Sequence, residues 1–452
     1  MTKKKTAIPT AAIILAAGKG TRMKSDLPKV LHPVAGTPMV GHVITHALAI
    51  GCAPITLVIA PGMDDVASVA QEIAGEVDVA IQREPLGTAH AVLAAKDALV
   101  NFDGNLLILY GDTPLITPAT MHAMQEALIG DAQCAVAVLG FLPDDAGDYG
   151  RLVLDDDGKL ARIVEAKDAT EEEREIPICN SGVMAIRGNV AWKLLGKIGN
   201  DNAKGEYYLT DIVALARESG MHAVVVEGEA DEVLGVNSRQ ELAVAEAIFQ
   251  YRARQAHMAN GVTLIDPDSV YFAMDTTVGQ DTVIEPNVFF GPGVAIGERV
   301  RIKAFSHIEG SVIGANTVVG PFARLRPGTN LGEDVKIGNF VELKKAEVAD
   351  GAKISHLSYI GDASVGTEAN IGAGTITCNY DGYHKYRTEI GREVFVGSNT
   401  ALVAPVVIGD GAMIAAGSVI TDDIAADALA LARPRQEQKE DWAKSFRERQ
   451  KK

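Results

Sequence analysis

Two kinds of hydrophobic periodicity divide the chain. From about residue 11 to 235, short apolar runs that are typical of buried strands alternate with stretches of helical periodicity. The runs are AAIILA, ITLVIA at 55–60, DVAIQ, LLILYGD at 106–112 and QCAVAVLGF, and GTAHAVLAAKDAL is one of the helical stretches. This alternation predicts an α/β domain with a Rossmann-like, mostly parallel sheet that is covered on both faces. Ligands of such sheets bind beyond the carboxyl ends of the strands.

The second half of the chain repeats every six residues. Aliphatic or aromatic side chains recur at this interval in three series, and glycine is common at the next position. The series are Val278, Ile284, Phe290, Ile296, Ile302 and Ile308; then Ile313, Val319, Leu325, Leu331, Ile337 and Leu343; and finally Ile390, Val396, Leu402, Ile408, Ile414 and Ile420. A hexapeptide period predicts a left-handed parallel β-helix. Its exposed flat side and triangular section predict side-by-side assembly into a homotrimer.

A single helix is predicted between the two patterns, over residues 238–260. Ser238 and Glu241 have the spacing of a capping box at its start, and apolar residues follow at helical intervals. We therefore predict a domain at 1–237, a connecting helix at 238–260 and a β-helix domain with a charged tail at 261–452.

Composition narrows the possible partners. The chain has 452 residues, of which 47% are hydrophobic, and a formal net charge of −17. This charge disfavours binding to nucleic acid or to an anionic membrane, although local Lys and Arg clusters can still bind a small phosphorylated ligand. The four cysteines are scattered without a C-x-x-C pair, which argues against a disulfide framework or a zinc site. No apolar stretch approaches the ~20 residues of a membrane span, and we predict a cytoplasmic protein.

A glycine-rich turn follows the first predicted strand, in LAAGKGTRMKSDLPKVLHPVAG. Gly18 and Gly20 allow backbone N–H groups to approach a phosphate closely, and Lys19, Arg22 and Lys29 add positive charge. The turn lacks the third glycine of the dinucleotide fingerprint, and it does not match the G-x-x-x-x-G-K-[ST] P-loop.

The whole stretch resembles the signature of sugar-1-phosphate nucleotidyltransferases, L-x-x-G-x-G-x-R-[LM] followed by a Pro-Lys pair. With the hexads and the motifs QREPLGTAHA, YGDTPL, GVNSR, HLSYIGD and CNYDG, the resemblance covers nearly the whole chain. It is a resemblance to the bacterial bifunctional N-acetylglucosamine-1-phosphate uridylyltransferases/glucosamine-1-phosphate N-acetyltransferases. It implies acetyl transfer from acetyl-CoA to glucosamine-1-phosphate, then Mg²⁺-dependent uridylyl transfer from UTP to N-acetylglucosamine-1-phosphate. The product would be UDP-N-acetylglucosamine, a precursor of peptidoglycan and lipopolysaccharide.

The resemblance also implies roles in the first domain. Nucleotide and sugar would be bound by Leu15, Ala16, Ala17, Gly18, Arg22, Lys29, Gln82, Gly87, Thr88, Tyr110, Gly111, Asp112, Gly150, Glu165, Asn180 and Asn237. Asp112 and Asn237 would hold Mg²⁺, a hard ion that prefers oxygen ligands. Pro85 and Ala89 depart from the family's Gln-Leu-Gly-Thr-Gly-His pattern. Without the other motifs, an Asp at position 112 would more commonly form a turn or cap a helix than bind a metal.

Roles in the second domain follow in the same way. His356 would remove a proton from the 2-amino group of the sugar, although its local sequence fits a structural turn histidine equally well. The sugar phosphate would contact Arg326, Lys344, Tyr359, Asn370 and Lys385. Positions beside acetyl-CoA or in the catalytic loop would be Ala373, Asn379, Tyr380, Ser398, Ala416 and Arg433. Asn379, Tyr380 and Lys385 lie in TITCNYDGYHKYRTEIG at 375–391, which interrupts the hexads.

Two alternatives remain open. ADP-glucose pyrophosphorylases and related enzymes join a nucleotidyltransferase domain to hexapeptide coils that are only structural, but they are not expected to carry HLSYIGD followed by CNYDG. Some regulatory subunits of translation exchange factors reuse both domains without catalysis. Such chains need not retain charged residues equivalent to Arg22, Lys29 and Asp112, all of which are present.

Overall fold

The computed structural model describes residues 8–202 and 205–451. The chain forms two compact units, which divide between Gln250 and Tyr251. This division falls inside a long helix. In the described parts of the chain, no helix combines the length and the apolar character needed to cross a membrane.

In the described residues of the first unit, seven α-helices combine with strands β1 to β11. The helices are α1 Met39–Ala49, α2 Asp64–Ala74, α3 Thr88–Ala94, α4 Pro118–Gly130, α5 Glu171–Arg174, α6 Gly188–Leu195 and α7 Ile212–Glu218. The strands are β1 Thr10–Leu15, β2 Pro33–Val34, β3 Thr37–Pro38, β4 Ile55–Ile59, β5 Asp78–Ile81, β6 Asn105–Tyr110, β7 Cys134–Phe141, β8 Arg151–Leu154, β9 Leu160–Val164, β10 Cys179–Ile186 and β11 His222–Gly228.

Nine of these strands form one sheet, in the order β5-β4-β1-β6-β10-β7-β11-β9-β8. The half from β5 to β6 is parallel, as the sequence predicts. The other half is mixed, because β10 lies between β6 and β7 and runs antiparallel to both. Along β1, Ala12 and Ile14 belong to one core cluster while Ala11 and Ile13 belong to another. The sheet is therefore covered on both faces, which explains why its strands read as continuous apolar runs.

A 21-residue helix, α8, spans Arg239–Ala259. The Ser238 hydroxyl accepts a hydrogen bond from the Glu241 N–H at 3.3 Å and donates one to the Glu241 carboxylate at 3.1 Å. The predicted cap and connecting helix are therefore present.

The second unit is a parallel β-helix of short strands. They are β12 Thr263–Leu264, β13 Thr277–Val278, β14 Val283–Ile284, β15 Phe289–Phe290, β16 Ala295–Ile296, β17 Arg301–Ile302, β18 His307–Ile308, β19 Ser311–Ile313, β20 Val318–Val319, β21 Arg324–Leu325, β22 Thr329–Leu331, β23 Lys336–Asn339, β24 Glu342–Val348, β25 Lys353–His356, β26 Tyr359–Val365, β27 Asn370–Ile371, β28 Ile376–Cys378, β29 Thr388–Ile390, β30 Phe395–Val396, β31 Ala401–Val403, β32 Val406–Ile408, β33 Met413–Ile414, β34 Val419–Ile420 and β35 Leu429–Ala430. A last helix, α9, spans Trp442–Gln450.

The hexad side chains form the core of this unit. All of the predicted positions are buried except Val278, which is partly buried against the same cluster. From Ile284 to Ile371, successive strands of one face pair with equivalent residues 17 or 18 positions apart. The next step, from Ile371 to Val396, spans 25 residues. The interrupted repeat is therefore an insertion into one coil, and the coils on either side keep their register.

Candidate active sites

The first unit has a cavity of about 680 Å³ at the carboxyl ends of its parallel strands. Leu15 and Tyr110 end the paired strands β1 and β6 in the same register, so the segments that follow them meet at one edge of the sheet. The predicted residues that line this cavity are Leu15, Ala16, Ala17, Gly18, Lys29, Gln82, Gly87, Thr88, Tyr110, Asp112, Glu165 and Asn180.

Four other predicted residues do not line this cavity. Gly111 donates its N–H to the Leu15 carbonyl at 2.9 Å, and the Gly150 carbonyl accepts the Asn180 N–H at 2.8 Å. Arg22 lies exposed on a short helical turn, Thr21–Met23. The fourth residue, Asn237, contacts Lys29.

Lys29 lies where three distant parts of the chain meet. Its ammonium group forms an ion pair with Asp112 and donates to the Asn237 side-chain oxygen at 2.9 Å. Gly20 makes this position possible, because it has φ +58° and a Cβ there would lie 2.5 Å from the Lys29 Cβ. The Asp112 and Asn237 oxygens therefore converge on one cationic point.

The loop that carries the predicted binding residues Gln82, Gly87 and Thr88 is held by a segment that sequence reasoning missed. The Gln82 amide donates to the Gly87 carbonyl at 3.1 Å, and the Thr88 hydroxyl accepts the Leu209 N–H at 3.1 Å. The Tyr207 carbonyl accepts the Ala89 N–H at 3.0 Å. Gly87 has φ +109°, and a Cβ on it would lie 2.6 Å from the Tyr207 oxygen. The close contact with the 206–210 segment therefore requires glycine here.

Tyr110 forms part of the cavity floor as a neutral phenol. Burial raises its pKa above the ordinary value of 10, and the negative charges of Asp112 and Glu165 add to the effect. Its ring lies against Gly182, where a Cβ would be 3.0 Å from the ring atoms.

In the second unit, His356 pairs with a side chain one coil away. Its Nδ1 lies 2.7 Å from the Asn339 Oδ1, and the two residues are register partners in β23 and β25. Because an amide oxygen can only accept, Nδ1 carries the proton and Nε2 presents a lone pair. The exposed His356 ring is thus oriented to accept a proton at Nε2. Both residues also line a cavity of about 340 Å³.

Three predicted cations lie together beside the insertion. The hydrogen bond and positive charge of Lys385 lower the pKa of Lys344, and the charge of Arg326 adds to this effect. Tyr359 lies next to Lys344. Gly361 is the register partner of Lys344, and a Cβ on Gly361 would lie 2.4 Å from the Tyr359 hydroxyl oxygen. Asn370 lies apart from them in β27, on another sheet of the prism. The cluster has the charge needed to bind a phosphate group.

Four of the predicted acetyl-CoA positions form a row along one corner of the prism. The His356 carbonyl accepts the Gly374 N–H at 3.2 Å, and the Ala373 carbonyl accepts the Asn399 N–H at 2.7 Å. On the next coils, the Ser398 carbonyl accepts the Gly417 N–H at 2.8 Å and the Ala416 carbonyl accepts the Arg433 guanidinium at 3.0 Å. Residues 373, 398, 416 and 433 therefore continue from His356 at successive coils.

The insertion folds as a small hairpin. Tyr380 and Lys385 pair as an antiparallel bridge, and the Asp381 carboxylate accepts the N–H groups of the turn. At its base, the buried Asn379 amide donates to the Asp362 carboxylate. The loop is thereby anchored beside the strand that carries Tyr359.

Comparison with known proteins matches a different family model in each unit. Residues 12–154 match the MobA-like NTP transferase domain, and residues 275–310, 310–345 and 387–422 match the bacterial transferase hexapeptide model. The Bifunctional protein GlmU of Rhodospirillum rubrum is 58% identical over 439 residues, which are 97% of each chain. The chain belongs to the GlmU family. The GlmU proteins of Paramagnetospirillum magneticum and of a Bradyrhizobium strain are each 55% identical, over 97% and 98% of both chains respectively.

GlmU membership confirms the predicted family, the fold class and the two transferase activities. The full-length match to bifunctional relatives favours this interpretation over a single nucleotidyltransferase with structural coils.

Two features of the GlmU chain escaped sequence reasoning. The 206–210 segment offered only the paired aromatics of GEYYLTD as a signal. Asn339, the partner of His356, stands 17 residues before it. That separation is one coil, so the coil length could have identified the residue.

Proposed function

We propose that the protein makes UDP-N-acetylglucosamine in two steps at separate sites. The second unit transfers an acetyl group from acetyl-CoA to glucosamine-1-phosphate, and the first transfers uridylate from UTP to N-acetylglucosamine-1-phosphate. The observation that carries the proposal is that one chain of the GlmU family has the Lys29–Asp112–Asn237 cluster in one unit and His356 with a cationic cluster in the other.

In acetyl transfer, His356 acts as the general base. Its Nε2 lone pair accepts a proton from the sugar 2-amino group as the nitrogen attacks the thioester carbonyl, and the C–S bond then breaks so that coenzyme A leaves as the free thiol. The hydrogen bond from Nδ1 to Asn339 supports this role because it fixes the tautomer. Arg326, Lys344 and Lys385 hold the sugar phosphate, with Tyr359 and Asn370 as further contacts. The row Ala373, Ser398, Ala416 and Arg433, with Asn379 and Tyr380 of the insertion, lies along the acetyl donor.

In uridylyl transfer, positioning and charge neutralisation replace covalent catalysis. The sugar phosphate oxygen attacks the α-phosphorus of UTP in line, and pyrophosphate leaves. Lys29 and Arg22 offset negative charge on the triphosphate, and Gly18 admits it close to the backbone. Gln82, Gly87 and Thr88 contact the uracil, while Gly150, Glu165 and Asn180 hold sugar and ribose.

The oxygens of Asp112 and Asn237 fit Mg²⁺. Both already lie against the Lys29 ammonium, and this convergence of two oxygens on one positive charge supports the assignment. Mg²⁺ is commonly bound by one or two carboxylates together with substrate phosphates and waters, and Asp112 supplies one carboxylate here. Bound there, Mg²⁺ would neutralise charge on the phosphates and the leaving pyrophosphate.

We also propose a homotrimer in the cytoplasm, with the domain boundaries given by the sequence. The rings of Phe305, Phe322 and Phe340 support assembly, since they stack 5.0 and 5.1 Å apart along one corner and about half of each side chain is exposed. Light scattering on the purified protein tests the trimer, and cell fractionation tests the location.

The test of function follows the two steps separately. Purified protein with glucosamine-1-phosphate, acetyl-CoA, UTP and Mg²⁺ should release free thiol and pyrophosphate. We expect His356→Ala to abolish thiol release while sparing pyrophosphate release from N-acetylglucosamine-1-phosphate, and Asp112→Ala to have the opposite effect. Loss of both products in either variant would contradict the assignment of separate sites.

A further inference from the structure

The first turn of α8 contacts the backbone of Asn237. The Glu241 carboxylate accepts the Asn237 N–H at 2.7 Å as well as the Ser238 hydroxyl. This bond is charge-assisted, and Asn237 is the residue whose side-chain oxygen reaches Lys29. Glu241 therefore restrains the backbone from which one of the two cation-facing oxygens projects.

The next turns of α8 contact the other side of the site. The Glu246 carboxylate accepts the Ala35 N–H at 2.7 Å with one oxygen and the Gln250 amide at 2.9 Å with the other. Ala35 has φ +48° and forms the turn of the hairpin β2–β3. That hairpin follows the helical turn Lys29–Leu31 almost directly. Glu246 thus restrains the segment that carries Lys29.

Two histidines reinforce this contact. The buried His42 donates from Nε2 to the Val34 carbonyl at 2.8 Å and packs against Phe249 of α8. The His32 ring lies 3.2 Å from the Arg239 guanidinium. The hairpin is therefore attached to α8 at more than one point and has little freedom to shift.

We propose that Glu241 and Glu246 are positioning residues for uridylyl transfer. They lie five residues apart on one helix, so a rigid element about 7.5 Å long fixes the Asn237 oxygen relative to Lys29. Asp112 completes the set from the segment that follows β6, and the three groups are already in contact, which is the preorganisation that such a site needs. This inference rests on the proposed function of the first unit.

The experiment compares Glu241→Ala and Glu246→Ala with Glu241→Gln and Glu246→Gln. Loss of an outer-shell partner typically costs 10–100-fold in activity or metal affinity, and we expect the Ala variants to lose roughly this much kcat with KM for N-acetylglucosamine-1-phosphate nearly unchanged. A glutamine oxygen can still accept the same N–H, so the Gln variants should recover most of the rate. Gln240→Ala, an exposed position on the same helix, is the matched control.

A second measurement does not depend on turnover. Mn²⁺ binding in the presence of UTP, followed by electron paramagnetic resonance, should weaken about tenfold in the Ala variants and stay close to wild type in the Gln and Gln240→Ala variants. Acetyl transfer should be unchanged in all five, which would show that the second unit is folded and that the effect is confined to the first. Wild-type kcat and Mn²⁺ affinity in the Ala variants, or failure of glutamine to restore them, would overturn the proposal. If wild-type protein released no pyrophosphate, the proposed function would fail, while Mn²⁺ binding would still test the positioning roles.

Discussion

Acidification should weaken the first unit through His42. Its side chain is fully buried, its Nε2 donates to the Val34 carbonyl, and its Nδ1 has no hydrogen-bond partner in the described residues. Burial lowers its pKa from 6.5 to about 4. An unfolded chain therefore binds a proton at this histidine near pH 6.5, whereas the folded chain does so only near pH 4.

The sign and size of the effect follow from proton linkage. Below pH 6.5 the unfolded state binds more protons, so the free energy of unfolding falls as pH falls, until the folded form is also protonated. At ~1.4 kcal/mol per pH unit, the difference between the two pKa values amounts to about 3.4 kcal/mol in total. Between pH 7 and pH 5 the loss should be about 2 kcal/mol.

The assay uses the two tryptophans of the chain. Trp192 lies in α6 of the first unit, and Trp442 lies in the exposed tail. In a Trp442→Phe background, Trp192 fluorescence reports urea unfolding of the first unit. His42→Gln retains an N–H that can reach the Val34 carbonyl but removes the titrating group.

We expect the His42→Gln variant to lose about 2 kcal/mol less stability than its parent between pH 7 and pH 5. Burial also lowers the pKa of His46, so some acid sensitivity should remain in both proteins. Equal pH dependence of the two proteins would refute the assignment of a neutral, buried His42.

Three further predictions concern single sites. Gly20→Ala should reduce uridylyl transfer at least tenfold and spare acetyl transfer, because its Cβ would overlap Lys29; equal loss of both activities would contradict this. Ile337 is fully buried, so Ile337→Ala should lower the free energy of unfolding of the β-helix by ~2–5 kcal/mol. Urea unfolding followed by circular dichroism measures this loss, and a smaller loss would mean that the coil collapses around the cavity. Lys385→Met should raise KM for glucosamine-1-phosphate in the thiol-release assay. It should also return the pKa of Lys344 toward 10.5, measured by NMR of labelled lysine. An unchanged KM would show that Lys385 does not bind the sugar phosphate.

Local patterns predicted much of the fold. The hexads predicted the β-helix because each six residues form one side of a coil and the buried position recurs in sequence as it does in space. Ser238 and Glu241 predicted the start of α8 because a helix cap depends on residues three apart. The motif around Gly18 indicated the nucleotidyltransferase site through its resemblance to a family.

Other features depend on contacts between distant residues. The apolar run at β10 does not reveal that this strand lies antiparallel between β6 and β7, because strand order is set by packing of the whole sheet. Lys29 is 83 residues from Asp112 and 208 from Asn237, and no local signal specifies that they meet. The position of Glu241 in a helix cap did not indicate that its carboxylate also accepts the Asn237 N–H.

By itself, the sequence determined the two architectures through short-range periodicity, and its contiguous motifs indicated the family. The predicted site residues followed from that resemblance. Only the tertiary structure decided which oxygens face Lys29, which segment supports the Gln82–Thr88 loop and how α8 restrains both sides of the site. The physical reason is that local patterns reflect backbone geometry over a few residues. Long-range contacts instead reflect which arrangement of the whole chain buries its apolar surface while satisfying its polar groups.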